Sequence, residues 1–269
     1  DENWDPKEFG EALEEHDDGK ILQLIKSATL KQLGTTYRFG FSESDWTPLA
    51  AMLLCYPDGP GRFSLAQELI RLGCDLNARQ IRRQVNSTIL QLIVRIGNPN
   101  RLGLLRDLIK LRAIQPEGLL HLAAENAPVS FLEALFAGSV PGINSTDPKG
   151  YTPAQVAASR TDPDAAKVLS FLARKGADMN GDLFKFVTRP EVAGCILELG
   201  ADVNRTDADG KSPLYWAVIG DNDGVANQLL ERGADVHQLG PQGENCLQVA
   251  WTPEMLELLI GYSPSLPLI

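Results

Sequence analysis

Short apolar runs separated by polar turns recur along the chain. The runs Leu65–Leu72, Ala165–Leu172, Val192–Leu199 and Val225–Leu230 carry the spacing of buried helix faces. Each ends on the same punctuation: Gly73-Cys-Asp-Leu-Asn77, Gly176-Ala-Asp-Met-Asn180, Gly200-Ala-Asp-Val-Asn204 and Gly233-Ala-Asp-Val-His237. Glycine at the end of a helical run predicts a left-handed C-cap, and the Asp and Asn that follow suit turns because their side chains bond nearby backbone amides. Upstream stands a second signal, Thr47-Pro-Leu-Ala50, Thr152-Pro-Ala-Gln155 and Ser212-Pro-Leu-Tyr215. There Thr or Ser caps the first turn, and Pro occupies the first helical position, where no amide donor is needed. Small residues follow (Ala50-Ala51, Ala157-Ala158, Ala217), so two short helices can approach closely. The predicted unit is a turn, a short helix, a loop, a second helix and a Gly-capped exit.

At the ends the pattern changes. Phe9, Ala12 and Leu13 form one helical stripe and Ile21, Leu22, Leu24 and Ile25 another, with acids on the remaining face of the first. That is the polar exterior expected of a terminal cap, over residues 1–45. His16-Asp17-Asp18 reads as a solvated turn between the two helices. Residues 46–262 divide into about seven repeats and 263–269 form a tail. The step from Gly200 to Gly233 is 33 residues, whereas that from Gly176 to Gly200 is 24, so the repeat near 181–206 has lost much of its loop. Tyr56–Gly61 reads as an insertion between helices. With no Gly-, Ser- or Pro-rich linker, the whole chain is expected to be a single domain.

The stretch Asp207-Ala-Asp-Gly210-Lys-Ser-Pro-Leu214, ending in Gly233-Ala-Asp-Val236, resembles an ankyrin repeat almost position for position. Asp147-Pro-Lys-Gly150-Tyr-Thr-Pro153, closed by Gly176, resembles another, and the 33-residue step matches the period of that family. Thr88-Ile-Leu-Gln91, Gly118–Ala124 and Asn245–Ala250 are more distant copies. The resemblance implies an all-α solenoid of helix-turn-helix units joined by β-turn or hairpin loops. It also implies a non-catalytic module, a scaffold or adaptor that binds a protein through its concave face. The family's variable positions fall on Trp46, Arg95, Glu125, Tyr151, Arg160, Lys211, Ile219 and Glu244. Trp46 and Tyr151 stand out, since an aromatic ring at a turn tip offers contact area at little entropic cost. Trp216 and Trp251 fall at helix positions that face a neighbouring helix, and core packing is expected of both. His121 occupies the slot where the family's histidine bonds to the backbone of the adjoining repeat, and Asn77, Asn180 and Asn204 are read as turn-stabilising.

Charge sharpens the expected partner. The net charge is −10, yet nine bases lie between Arg71 and Arg112 against only Asp75 and Asp107. Arg82, Arg83 and Arg95 sit on the turn and first-helix side of their repeats, so they join Trp46, Tyr151, Arg160 and Lys211 as expected partner-binding residues, with an acidic protein surface as their target. Nucleic acid is disfavoured by the overall acidity and by the absence of aromatic residues within the basic zone. No apolar run reaches the roughly 20 residues needed to span a bilayer. Four scattered cysteines and three distant histidines give no metal-ligand spacing, and no cofactor motif or nucleophile elbow occurs. Free thiols point to a reducing, cytoplasmic setting. An alternative reading makes the chain the targeting part of a larger enzyme, or of a bacterial effector acting in host cytosol. Its discriminating feature would be a longer reading frame around this segment.

Overall fold

A computed structural model describes residues 4–39, 45–57, 60–78, 80–82, 85–111, 118–137, 142–180 and 182–263. The chain divides into two compact units, residues 1–140 and 141–269.

The first unit is built from helix pairs: α1 (Pro6–Glu15) with α2 (Asp18–Ser27), α4 (Pro48–Cys55) with α5 (Pro60–Arg71), α6 (Ile89–Ile96) with α7 (Leu102–Lys110), and α8 (Leu119–Asn126) with α9 (Val129–Phe136); the short α3 (Leu30–Gly34) precedes α4. First helices contact first helices (α1 on α4, α6 on α8), and second helices contact second helices (α2 on α5, α7 on α9). Phe9, Ile21, Leu49, Leu53, Leu104 and Leu132 fill the space between the layers. The loops between repeats pair as a four-stranded antiparallel sheet in the order β1 (Tyr37–Arg38), β2 (Asp45–Trp46), β3 (Gln80–Arg82), β4 (Val85–Ser87). Trp46 lies opposite Tyr37 and Asp45 opposite Ile81. The Arg62 guanidinium, buried in the core, donates to Asp107 at 2.7 Å, so α5 and α7 are joined by an ion pair that offsets the cost of burying the cation. His16 closes α1 with a left-handed φ of 57°, Asp17 caps α2, and the Tyr56 hydroxyl reaches the His16 carbonyl at 3.2 Å, so this turn is tied to its neighbour and is not merely solvated.

The second unit repeats the scheme. Its pairs are α10 (Pro153–Ala158) with α11 (Ala165–Arg174), α13 (Pro213–Ile219) with α14 (Asp223–Glu231), and α15 (Cys246–Val249) with α16 (Pro253–Tyr262). Between the first two pairs, α12 (Pro190–Glu198) has for its partner a single 3-10 turn, Phe184–Phe186. The shortened repeat has thus kept its second helix and reduced its first to one turn. One layer runs α10, 3-10 turn, α13, α15, and the other α11, α12, α14, α16.

The local signals behave as the sequence predicts. Thr47, Thr152 and Ser212 accept the amide hydrogens of Ala50, Gln155 and Tyr215, each with Pro at the next position. Gly73, Gly176, Gly200 and Gly233 have φ between 87° and 95°, a region closed to most side chains. The turn asparagines do more than hold their own turns. Asn144 donates to the Gly176 carbonyl and accepts from the Asp178 amide, and Asn204 repeats both bonds with Gly233 and Asp235. Asn180 accepts from the Asp202 amide. These side chains strap each repeat to the next.

Candidate functional site

The site begins with the loop that opens the repeat of α13. The Asp207 carboxylate accepts the amides of Asp209 and Lys211 through Oδ1, at 2.9 and 2.8 Å, and the Asp207 amide donates back to the Lys211 carbonyl. This closes a tight turn, with Gly210 at its positive-φ corner. The other carboxylate oxygen, Oδ2, accepts the indole N–H of Trp216 at 2.7 Å. Trp216 lies on the first turn-and-a-half of α13, so one acid fixes both the loop and the ring beside it.

Two cations lie against that ring. Lys211 Nζ is 4.2 Å and Lys185 Nζ 5.2 Å from a Trp216 ring centroid, within range of a cation–π attraction. Lys185 is there because the shortened repeat offers a 3-10 turn where its neighbours have a helix. The same turn carries Phe186, whose ring meets Tyr151 edge-on at 4.8 Å and 72°. Asp182 and Arg205 border the crevice and are exposed. Loss of water on the side facing the crevice, followed by the Asp207 charge, pushes the Asp182 carboxyl above its ordinary range. The crevice holds about 20 Å³, room for one water and no larger ligand. Beyond it, the Tyr215 hydroxyl donates to Glu244 on the next loop; this bond and burial push Tyr215 up to about 12, and the same bond holds Glu244 below the usual carboxylate range.

The residues expected to bind a partner fall into different places. Tyr151, through Phe186, and Lys211, through Trp216 and Lys185, converge on the shortened repeat. Tyr151 is half-buried. Arg95 is exposed on the last turn of α6. Arg82 lies in β3 with its side chain outside the described residues, and Arg83 is outside them entirely. Two expectations are corrected. Trp46 is only 6% exposed and belongs to the core of the first unit, because its strand is paired with β1 and lies against α4. Arg160 is buried, its guanidinium forked onto Asp162 at 2.8 and 3.1 Å, which holds the Asp162 carboxyl low. Its charge is spent on its own loop.

Core packing is expected of both Trp216 and Trp251; Trp216 is half-buried, whereas Trp251 is 70% exposed, in the loop after α15, and that expectation is corrected. Lys185 was missed altogether. The 24-residue step reads as a lost loop, whereas the structure shortens the first helix to a 3-10 turn, and that turn sets Lys185 against Trp216.

Other hollows offer less. One, about 610 Å³ beside α1 and α2, is lined in part by Asp5, Glu8, Asp17 and Lys20. Asp5 and Asp17 are engaged as helix caps and Glu8 pairs with Lys20 at 3.4 Å. Among the described residues no cluster of three His, Cys, Asp or Glu side chains could hold a metal ion, and no helix is long and apolar enough to cross a membrane. His121 is buried in α8. None of the four cysteines forms a disulfide.

Stacked helix pairs joined by turn loops, with asparagine straps between successive repeats of the second unit, define a helical repeat protein. Residues 120–239 match the family described as ankyrin repeats, in three copies. That stretch of the chain carries ankyrin repeats. The chain is 29% identical over 109 residues to the ankyrin repeat and LEM domain-containing protein 1 homolog of Caenorhabditis elegans, covering 40% of this chain and 14% of that protein. It is 33% identical over 144 residues to the neurogenic locus notch homolog protein 1 of Xenopus laevis, covering 50% of this chain and 6% of that one. Over 66 residues it is 33% identical to the palmitoyltransferase AKR1 of Lachancea kluyveri, covering 24% of this chain and 9% of that enzyme. The chain thus spans a small fraction of the length of these relatives. Among solved structures, the ankyrin repeat domain of Bcl-3 aligns with a TM-score of 0.47 and 16% identity, covering 96% of this chain and all of that one.

Proposed function

We propose that this chain is a non-catalytic module that binds a partner protein through the first-helix and loop side of its second unit, centred on Trp216. Ankyrin repeats are in general protein–protein interaction modules, and that much follows from the family. The observation that carries the finer reading is the arrangement at Trp216: a half-buried indole held by Asp207, with Lys185 and Lys211 at its ring. A ring so fixed has little entropy left to lose on contact, and desolvating the two ammonium groups against a partner carboxylate would strengthen both attractions. Asp207 is already occupied by its loop and by the indole, so the two lysines are the groups left to meet an acidic partner surface.

The test is affinity purification with the intact chain, repeated with Lys185→Glu/Lys211→Glu and, separately, with Trp216→Ala. Partners captured by the wild type and lost from both variants support the reading, with folding checked by circular dichroism. Partners retained by both variants would place binding elsewhere.

A further inference from the structure

Two acids border the crevice at Trp216, and they are in opposite conditions. Asp207 is fully engaged: Oδ1 accepts two loop amides and Oδ2 accepts the indole N–H. Asp182 stands just ahead of the 3-10 turn Phe184–Phe186 that carries Lys185, and lines the same crevice as Lys185, Arg205, Lys211 and Trp216. Among the described residues no hydrogen bond or ion pair engages its carboxylate. What acts on it is charge at a distance: Asp207 and Asp209 disfavour its ionised form, and Lys185 and Arg205 favour it. The difference originates in the shortened repeat. In the repeats on either side the loop acid is closed onto its own turn, Asp147 onto the amides of Lys149 and Tyr151, and Asp207 onto those of Asp209 and Lys211. That turn takes five residues, 147–151, whereas only residues 181–183 separate Asn180 from Phe184. Asp182 therefore has no turn of its own to close on. Its charge is left to act across the crevice, on the same two ammonium groups that a partner's acid would meet.

We infer that Asp182 is an internal competitor at the Trp216 site: its carboxylate opposes a partner's carboxylate at Lys185 and Lys211, and a proton taken up by Asp182 strengthens partner binding. The inference rests on the reading of Trp216 as the contact for an acidic partner, and adds a regulator to it. The charges around the crevice give Asp182 its leverage. Lys185, Arg205 and Lys211 are matched by Asp182, Asp207 and Asp209, so neutralising Asp182 turns a balanced cluster into a cationic one. Loss of water on the crevice side and the Asp207 charge already hold the Asp182 carboxyl above the ordinary carboxylate range. A second carboxylate arriving from the partner pushes it the same way. Binding therefore draws a proton from water onto Asp182, and affinity rises as pH falls toward that raised value.

The probe is a labelled peptide of alternating cysteic acid and glycine, whose sulfonates stand for the partner's carboxylates and stay charged throughout. It is titrated into the intact chain by fluorescence anisotropy. Asp182→Asn should bind it about three- to tenfold more tightly than the wild type at neutral pH, the scale of one partly screened charge at a contact. The gap should narrow on acidification, because the wild type then gains by protonation what the variant already has. Glu254→Gln removes one negative charge from an exposed position on α16 and should leave affinity within about twofold of the wild type. Binding by Asp182→Asn that is no tighter, or tighter only by the factor seen with Glu254→Gln, would overturn the inference, as would a gap that does not change with pH. Lys185→Glu/Lys211→Glu separates this from a failure at Trp216. A probe that binds that variant as well as the wild type removes the site and its competitor together. A probe lost from it but indifferent to Asp182 leaves the site and removes the competitor alone. Failure of both wild type and Asp182→Asn to bind would overturn both readings. Asp182 is exposed, so its replacement by Asn should leave the fold intact, as circular dichroism would verify.

Discussion

Replacing Asn204 by Ala should cost the second unit about 1–2 kcal/mol, close to the cost of Asn144→Ala and about twice that of Asn180→Ala. The magnitude follows from the straps between repeats. Asn204 Nδ2 donates to the Gly233 carbonyl at 3.2 Å and Oδ1 accepts from the Asp235 amide at 2.8 Å. Asn144 makes the equivalent pair at 3.2 and 2.9 Å, whereas Asn180 contributes the single bond from the Asp202 amide at 3.1 Å. A protein hydrogen bond is worth about 0.5–1.5 kcal/mol net, and these lie near the surface, where water takes over the abandoned groups, so the lower half of that range applies to each. Urea unfolding followed by far-UV circular dichroism would give the three values, provided the slope with denaturant is unchanged. The corresponding fall in melting temperature is roughly 2–4 °C per kcal/mol for a protein of this size. Equal losses in all three variants would refute the reasoning, since each asparagine would then be acting on its own turn and not as a strap. A loss greatest in Asn180→Ala would refute it as well.

Trp46→Ala should destabilise the first unit by about 3–5 kcal/mol, the usual cost of emptying a buried indole site, seen as a lowered thermal midpoint; a variant as stable as the wild type would return the ring to the surface. The contact between Tyr215 and Glu244 predicts a dependence on pH. Glu244 is held low in the folded state, so its contribution is present above the ordinary Glu value of about 4.3 and is lost as pH falls through the lowered folded value. Tyr215 is held high, so the same contact persists through neutral pH and fails only as pH rises toward about 12. The difference in melting temperature between wild type and Glu244→Gln should therefore be present at neutral pH and shrink on strong acidification; a difference independent of pH would remove this contact from the account.

The sequence by itself determined the repeat. Its signals act over three or four residues: a hydroxyl bonding an amide three positions on, a glycine closing a helix, a proline at a position needing no donor. Nothing distant can cancel such bonds, so Thr47, Thr152 and Ser212 cap, and Gly176, Gly200 and Gly233 turn, as read. The shortened repeat was legible as a spacing, and Lys211 and Tyr151 were legible as loop positions before a first helix. What the tertiary structure decided was the exposure of the aromatic rings and the company of the charges. Trp46 and Trp251 each follow the local rules of a repeat, yet one is buried and the other bare, because burial depends on whether a neighbouring strand or helix arrives to cover the ring. Lys185 came onto Trp216 for a similar reason: a missing helix in one repeat moved a side chain onto the next. Arg160 and Lys211 looked alike as cations beside loops; the carboxylate two residues from Arg160 folded back to bury its charge, while that of Asp207 was taken by the turn amides and an indole. Local chemistry sets the repeat, and the neighbours each side chain meets, which no short-range pattern encodes, set the surface that remains for binding.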